Sequence, residues 1–244
     1  MISIESPQNQ LIKKVKKLHY SKHRHIANQF IAEGMRTIST LVENNAKLEY
    51  LFVTEQTQEV ASFYEDTECV LLPESIMASI STKKTPSGIF GVFAMPKKPQ
   101  ISTLTSGAVL AQVSDPGNMG TLIRTTAAMG LNSVVCIEGV DPWHPKVVQS
   151  SAGAIAAVNV FQMDWQTLID NKGDIKLAAL VVEEGAEPST IDKNSLIVIG
   201  NEANGLPRNW SATCNQQITL PMPGHTESLN AAVAGSIALY LLAN

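Results

Sequence analysis

Strand-sized apolar runs alternate with amphipathic helices through the second half of the chain, and this pattern restricts the fold more than any other feature. Residues 108–113, apolar but for Gln112, form a run suited to a strand buried on both faces of a parallel sheet. A turn rich in Asp, Pro, Gly and Asn follows, and then a helix with Leu122, Ile123 and Ala127 facing inward. Further strands are predicted over residues 133–137, 158–162, 176–182 and 195–200, and helices over 145–152 and 164–171. Such an alternation makes an α/β sheet, in which ligands bind outside the carboxyl ends of the strands.

The first 95 residues read as a separate, smaller α/β domain. Leu11, Ile12, Val15 and Leu18 share one face of a helix within residues 7–20. Strands are expected over 29–32, 47–54, 69–72 and 88–94. Helices are expected over 34–44, with Met35, Ile38, Leu41 and Val42 inward, and over 56–64 and 74–81. Residues 96–106 are rich in breakers and read as a linker, so the second domain is expected over 107–244. The chain has 244 residues, 44% hydrophobic and 16% charged, against about 25% charged in an average globular chain. A well-filled core follows. No apolar run approaches the roughly 18 residues of a membrane span. The N-terminus lacks the order of a signal peptide. Cys69, Cys136 and Cys214 are odd in number and far apart, which argues against a disulfide framework or a zinc site. A reduced, cytoplasmic protein is the expectation.

Charge is unevenly spread. Residues 1–36 carry seven cations against two anions, a balance of +5, which leaves −9 for the rest of a chain of net charge −4. The basic end suits a local phosphate contact on an otherwise acidic body. The lysines of the first helix read equally as a solvated face or as a nucleic-acid contact. His19, His23 and His25 lie among cations with no acidic or cysteine ligand close by, so no metal site is expected there.

Residues 218–244 close the chain with an apolar run, a loop holding prolines and a glycine, and a long helix. Ser228 is the expected N-cap. Leu229, Val233, Ile237 and Leu241 recur every four residues, while Ala231, Ala232, Ala234, Gly235 and Ala238 are small, which allows close backbone approach. The segment reads as a buried capped helix or as a helix N-terminus holding a polar ligand. His225 is expected to be an exposed loop residue and Trp143 a packing residue. The commonest nucleotide, zinc-protease and nucleophile-elbow signatures are absent. Three loops remain: DPGNMG with Arg124 beyond it, GNEANGLP, and PMPGHTESLN. Singly each is a polar turn. All three after apolar strands in one α/β half are harder to explain as turns.

Their order and spacing resemble the SpoU (TrmH) family of RNA ribose 2′-O-methyltransferases, in the SPOUT superfamily. The first family motif is matched by Asp115-Pro-Gly-Asn118-Met-Gly120 with Arg124. The second is matched by Ile199-Gly200-Asn201-Glu202 with Gly205-Leu206, and the third by Leu220-Pro221-Met222 with Ser228-Leu229-Asn230. The resemblance covers residues 108–243. Gln29–Arg36 looks like part of the small substrate-binding domain that many members carry. Ala203 stands where many members have Gly.

The resemblance implies a parallel sheet with a deep trefoil knot, which periodicity alone would argue against. It also implies a homodimer, S-adenosylmethionine as cofactor, and RNA as substrate, with rRNA favoured over tRNA. Leu180, Val181, Gly200, Asn201, Leu220 and Leu229 match cofactor-binding positions. Arg124, Asn118, Glu202, Ser228 and Asn230 match active-site positions; Arg124 is the residue proposed to assist deprotonation of the ribose hydroxyl. An arginine is a poor base, so orienting a phosphate is its alternative role. Lys13, Lys16, Lys17, Lys22 and Arg24 become candidate RNA contacts. No metal is implied. Two alternatives stand beside this reading: a catalytically silent RNA-binding or assembly factor on the same fold, and a SPOUT enzyme that methylates a base.

Overall fold

The computed structural model describes residues 1–224 and 228–244, so His225 lies outside the described residues. The chain forms two compact units, Met1–Lys97 with Trp143–Ala156, and Lys98–Pro142 with Ala157–Asn244.

The first unit begins with β1 (Ile2–Ser3), α1 (Gln10–Lys17), α2 (Ser21–Ala27), β2 (Gln29–Glu33) and α3 (Met35–Glu43). It continues with β3 (Leu48–Val53), β4 (Glu68–Leu71), α4 (Glu74–Ile80) and β5 (Ile89–Ala94). The strands form a mixed sheet in the order β1-β4-β3-β5-β2. Ile12, Val15 and Leu18 are buried with Ile31, Phe52, Ile76 and Met77, as the spacing of the first helix requires. Two expectations are corrected. Residues 55–63 form a 3-10 helix with no buried residue, because Phe63 is exposed and no apolar face exists to support an α-helix. In α3 the inward positions belong to Thr37, Ile38 and Leu41, whereas Met35 is exposed and Val42 only half-buried.

The second unit holds β6 (Gly107–Ala111), α5 (Pro116–Ala128), β7 (Ser133–Ile137) and, after α6 (Pro145–Ser150), β8 (Asn159–Gln162) and α7 (Trp165–Asn171). Then come β9 (Lys176–Leu180), β10 (Ser195–Ile199), α8 (Arg208–Ser211), β11 (Gln216–Ile218) and α9 (Ala231–Ala243). Its six strands are all parallel, in the order β11-β9-β10-β6-β7-β8. Every residue of β6, β7 and β10 is buried, which is why these strands are continuous apolar runs. On α9 the small-residue face is buried, with Leu239 and Leu242 beside it. Val233, Ile237, Tyr240 and Leu241 face outward, at 48%, 41%, 55% and 37% exposure.

Residues 143–156 fall within the range that patterning assigns to the second domain, yet they pack in the first unit. The Trp143 ring lies 4.9 Å from Phe30, the Gln149 amide donates to the Thr37 hydroxyl at 3.3 Å, and Gly153 sits against the Thr37 carbonyl. Trp143 is thus a packing residue, as expected, but in the smaller unit.

Candidate active site

β6 and β10 lie side by side in the middle of the parallel sheet. The connection from β6 runs through α5 to β7 on one side, while that from β10 runs to β11 on the other. Reversal of direction between neighbouring strands opens a crevice at their carboxyl ends. The loops after both strands meet there.

Glu202 joins them. Its carboxylate accepts from the Ser114 N–H at 3.2 Å, the Ser114 hydroxyl at 3.0 Å, the Asp115 N–H at 3.1 Å and the Asn118 amide at 3.0 Å. A carboxylate can only accept, so Asn118 must present its NH₂ to Glu202 and its oxygen elsewhere. That oxygen accepts from the Asn230 amide at 3.1 Å. Asn230 in turn accepts from the N–H groups of Ala232 and Val233 and so caps α9. The expected cap at Ser228 is corrected: α9 starts at Ala231, because Asn230 is the residue whose oxygen reaches the free N–H groups. Asp115 caps α5 in the same way, accepting from the Asn118 N–H at 2.8 Å, with Pro116 at the first helical position.

One hydrogen-bonded chain therefore ties the three polar loops together through Glu202, Asn118 and Asn230. Burial pushes the Glu202 carboxyl up. The hydrogen bonds from Asn118, Ser114 and Asp115 outweigh that effect and hold it down at about 2. Glu202 is thus a fixed anion and a weak base.

Beside this network lies a cavity of about 250 Å³ between the ends of β9 and β10 and the start of α9. Leu180, Val181, Gly200, Asn201, Leu220 and Leu229 all line it, together with Glu202 and Ser228. Gly200 is needed for the local packing: a Cβ there would stand 2.5 Å from the Leu206 nitrogen. Asn201 shapes the rim, because its oxygen accepts from the Ala203 and Asn204 N–H groups and its amide donates to the Gln112 carbonyl at 2.9 Å. The cavity is near the roughly 300 Å³ lower bound for small-molecule sites. Apolar side chains and exposed strand-end backbone in one recess fit a flat heterocycle attached to a polar group, as in S-adenosylmethionine.

Arg124 lies on α5, six residues beyond Asn118, with its side chain exposed. Among the described residues it has no hydrogen-bond or ion-pair partner. It stands outside the Glu202–Asn118–Asn230 chain.

The model of the SpoU rRNA methylase family matches residues 107–240. The chain belongs to the SpoU rRNA methylase family. The model of the MRM3-like substrate binding domain matches residues 9–91. The 23S rRNA (guanosine(2553)-2′-O)-methyltransferase RlmP of Bacillus subtilis is 29% identical over 247 residues, covering 99% of each chain. The crystal structure of the SpoU methyltransferase AviRb from Streptomyces viridochromogenes in complex with AdoMet superposes with a TM-score of 0.84. It is 25% identical and covers 97% of each chain. The AdoMet-bound rRNA methyltransferase from Sinorhizobium meliloti shares the fold, with a TM-score of 0.86 at 24% identity over 98% of this chain and 96% of its own.

In this SpoU protein the five residues expected to contact RNA all lie in the first unit. Lys13 and Lys17 are exposed on the side of α1 away from Ile12 and Val15, Lys22 of α2 is exposed, and Lys16, one turn beyond Ile12, is half-buried. Arg24 is corrected. It is fully buried, and its guanidinium donates to the Leu18 and His19 carbonyls, both at 3.0 Å. A cation is favourable at the carboxyl end of α1, so Arg24 closes that helix rather than meeting a phosphate. The His19 ring bonds the Ile80 carbonyl at 2.8 Å. Among the described residues no group of three or more His, Cys, Asp or Glu side chains is placed to hold a metal. No described helix is long and apolar enough to cross a membrane.

Ser114 is the functional residue that sequence reasoning missed. It gives Glu202 both a backbone and a side-chain donor. Its position directly before the capping Asp115 was the available signal.

Proposed function

We propose that the protein transfers a methyl group from S-adenosylmethionine to a ribose 2′-hydroxyl of structured RNA, with rRNA as the substrate class. The observation that carries this reading is the Glu202–Asn118–Asn230 chain, which ties all three family loops together beside the cavity. The named full-length relative acts on 23S rRNA. The cofactor, when bound, supplies an activated methyl group. Leu180, Val181, Gly200, Asn201, Leu220 and Leu229 hold it by backbone groups and apolar contact.

Glu202 holds its charge to about pH 2 and has its acceptor positions filled. Its work is to fix Asn118 and the start of α5. Asn118 and Asn230 orient the ribose, and Ser228 does so from the cavity wall. An arginine guanidinium is a poor base, so Arg124 orients the RNA phosphate and stabilises negative charge building on the 2′-oxygen. Alignment of nucleophile and methyl group supplies most of the acceleration.

Lys13, Lys16, Lys17 and Lys22 contact the RNA backbone, in keeping with recognition of RNA by shape and phosphate. The domains fall at residues 1–95 and 107–244, with 143–156 an excursion of the second into the first. The protein is cytoplasmic, its catalytic domain carries the trefoil knot, and it is a homodimer. The outward apolar face of α9 supports the last point, since Val233, Ile237, Tyr240 and Leu241 would be covered by a second copy.

Transfer of labelled methyl into unmodified rRNA and tRNA transcripts tests the reading, with Arg124→Ala in parallel. The expected result is label in rRNA, lost by about 100-fold or more in the variant, as when a transition-state donor is removed. Cofactor binding without transfer to any RNA would favour a silent assembly factor.

A further inference from the structure

Gln112 and Glu138 stand out among the backbone conformations. Both have positive φ, 60° and 44°. Asn28, Asn45 and Ala152 share that feature but each lies just past a helix, where a left-handed residue commonly ends the turn, and Glu184 lies in the irregular bend beyond β9. Gln112 and Glu138 instead follow β6 and β7. Those strands run in register as far as Ala111 opposite Ile137, so the two residues occupy the next rung together. Two neighbouring parallel strands thus turn left-handed at one level, and this happens directly before the Glu202 contacts. Conformations of this kind persist where surrounding bonds hold them, and they gather at functional sites.

The bonds are present. The Gln112 amide donates to the Glu138 carboxylate at 2.7 Å, and the Gln112 N–H donates to the Ile137 carbonyl at 2.7 Å. The Gln112 carbonyl accepts from Asn201. One residue on, the Val113 carbonyl accepts from the Val140 N–H at 3.0 Å, and a Cβ on Gly139 would stand 2.6 Å from that carbonyl oxygen. Val113 is fully buried. The 138–140 turn thus grips residues 112 and 113, and the next two residues deliver their N–H groups to Glu202.

We propose that Glu138 and Gln112 are a positioning pair for methyl transfer. Their side-chain hydrogen bond holds the turn that aims the Ser114 and Asp115 N–H groups at Glu202, and through Glu202 sets Asn118. Neither residue lines the cavity. The effect on turnover rests on the methyltransferase reading above; the effect on Glu202 does not.

The test uses Glu138→Ala, Gln112→Gly and the exchanged pair Gln112→Glu with Glu138→Gln. Glycine adopts positive φ freely, so Gln112→Gly removes the side chain without hindering folding. The exchange keeps one amide and one carboxylate at the same rung. Two readouts are taken: kcat and KM for S-adenosylmethionine in methyl transfer to rRNA, and the Glu202 carboxyl titration followed by carbon-13 NMR. Glu138→Ala and Gln112→Gly should lower kcat about tenfold with KM unchanged, as expected for misplacement of well under 1 Å. In both, the Glu202 midpoint should rise from about 2. The exchanged pair should restore both quantities. Wild-type kcat and midpoint in the first two variants would overturn the proposal, as would an exchanged pair no better than they are. A wild-type protein without methyl transfer would overturn the function reading instead, and the titration would still decide the positioning role.

Discussion

Glu202 is the residue on which the site turns, and its chemistry is set by its hydrogen-bond donors. A carboxyl lowered from 4.5 to about 2 by native hydrogen bonds contributes stability that is complete above the ordinary value and lost as pH falls toward 2. The melting temperature of the wild-type protein should therefore exceed that of Glu202→Gln by a constant amount above pH 5, and thermal melts from pH 7 downward should show the gap closing. A gap that widens on acidification would contradict the assignment. Asn118, Glu202 and Asn230 are legible in the sequence because each belongs to a polar segment containing glycine and proline that follows an apolar run. Arg24 misleads for a physical reason. A cation in a lysine-rich stretch resembles its neighbours, and only the fold shows that two helix-end carbonyls claim it. Gln112 and Glu138 leave no mark, since neither is a residue type associated with left-handed turns.

The elements of the catalytic unit were legible because parallel strands buried on both faces must be continuous apolar runs, and β6, β7 and β10 are. The first-unit location of residues 143–156 was not, because it depends on neighbours distant in sequence such as Phe30 and Thr37. The C-terminal helix shows the same division. Its small face is needed inside: a Cβ at Gly235 would stand 2.5 Å from Leu122 and 3.0 Å from Ile199. Gly235→Val should cost about 1–3 kcal/mol through overpacking between α5, α9 and β10, measured by denaturant unfolding. Which of the two apolar rows faces outward could not be read from periodicity, as both repeat at helical spacing. The outward row makes its own prediction: Ile237→Lys should dissociate the proposed dimer, and sedimentation equilibrium should report a monomer with unchanged secondary structure. A monomeric wild-type protein would remove the homodimer from the account.

At the scale of the molecule, an acidic methyltransferase unit is joined to a smaller unit whose lysines lie on exposed faces of α1 and α2. On the proposed function, the second unit would hold cofactor and ribose, and the lysines of the first would hold the RNA backbone. The fold class followed from the alternation of apolar strands and helices, and the family and cofactor from the resemblance carried by the three loop motifs. The proposed knot would leave no periodic trace in the sequence. The most direct measurement is the chemical position of the transferred methyl group. Labelled rRNA from the methyl-transfer reaction would be digested and its nucleosides resolved by mass spectrometry. The account predicts a single 2′-O-methylated nucleoside whose 3′ linkage resists alkali. Label on a base, or no label in RNA from a protein that binds the cofactor, would contradict it.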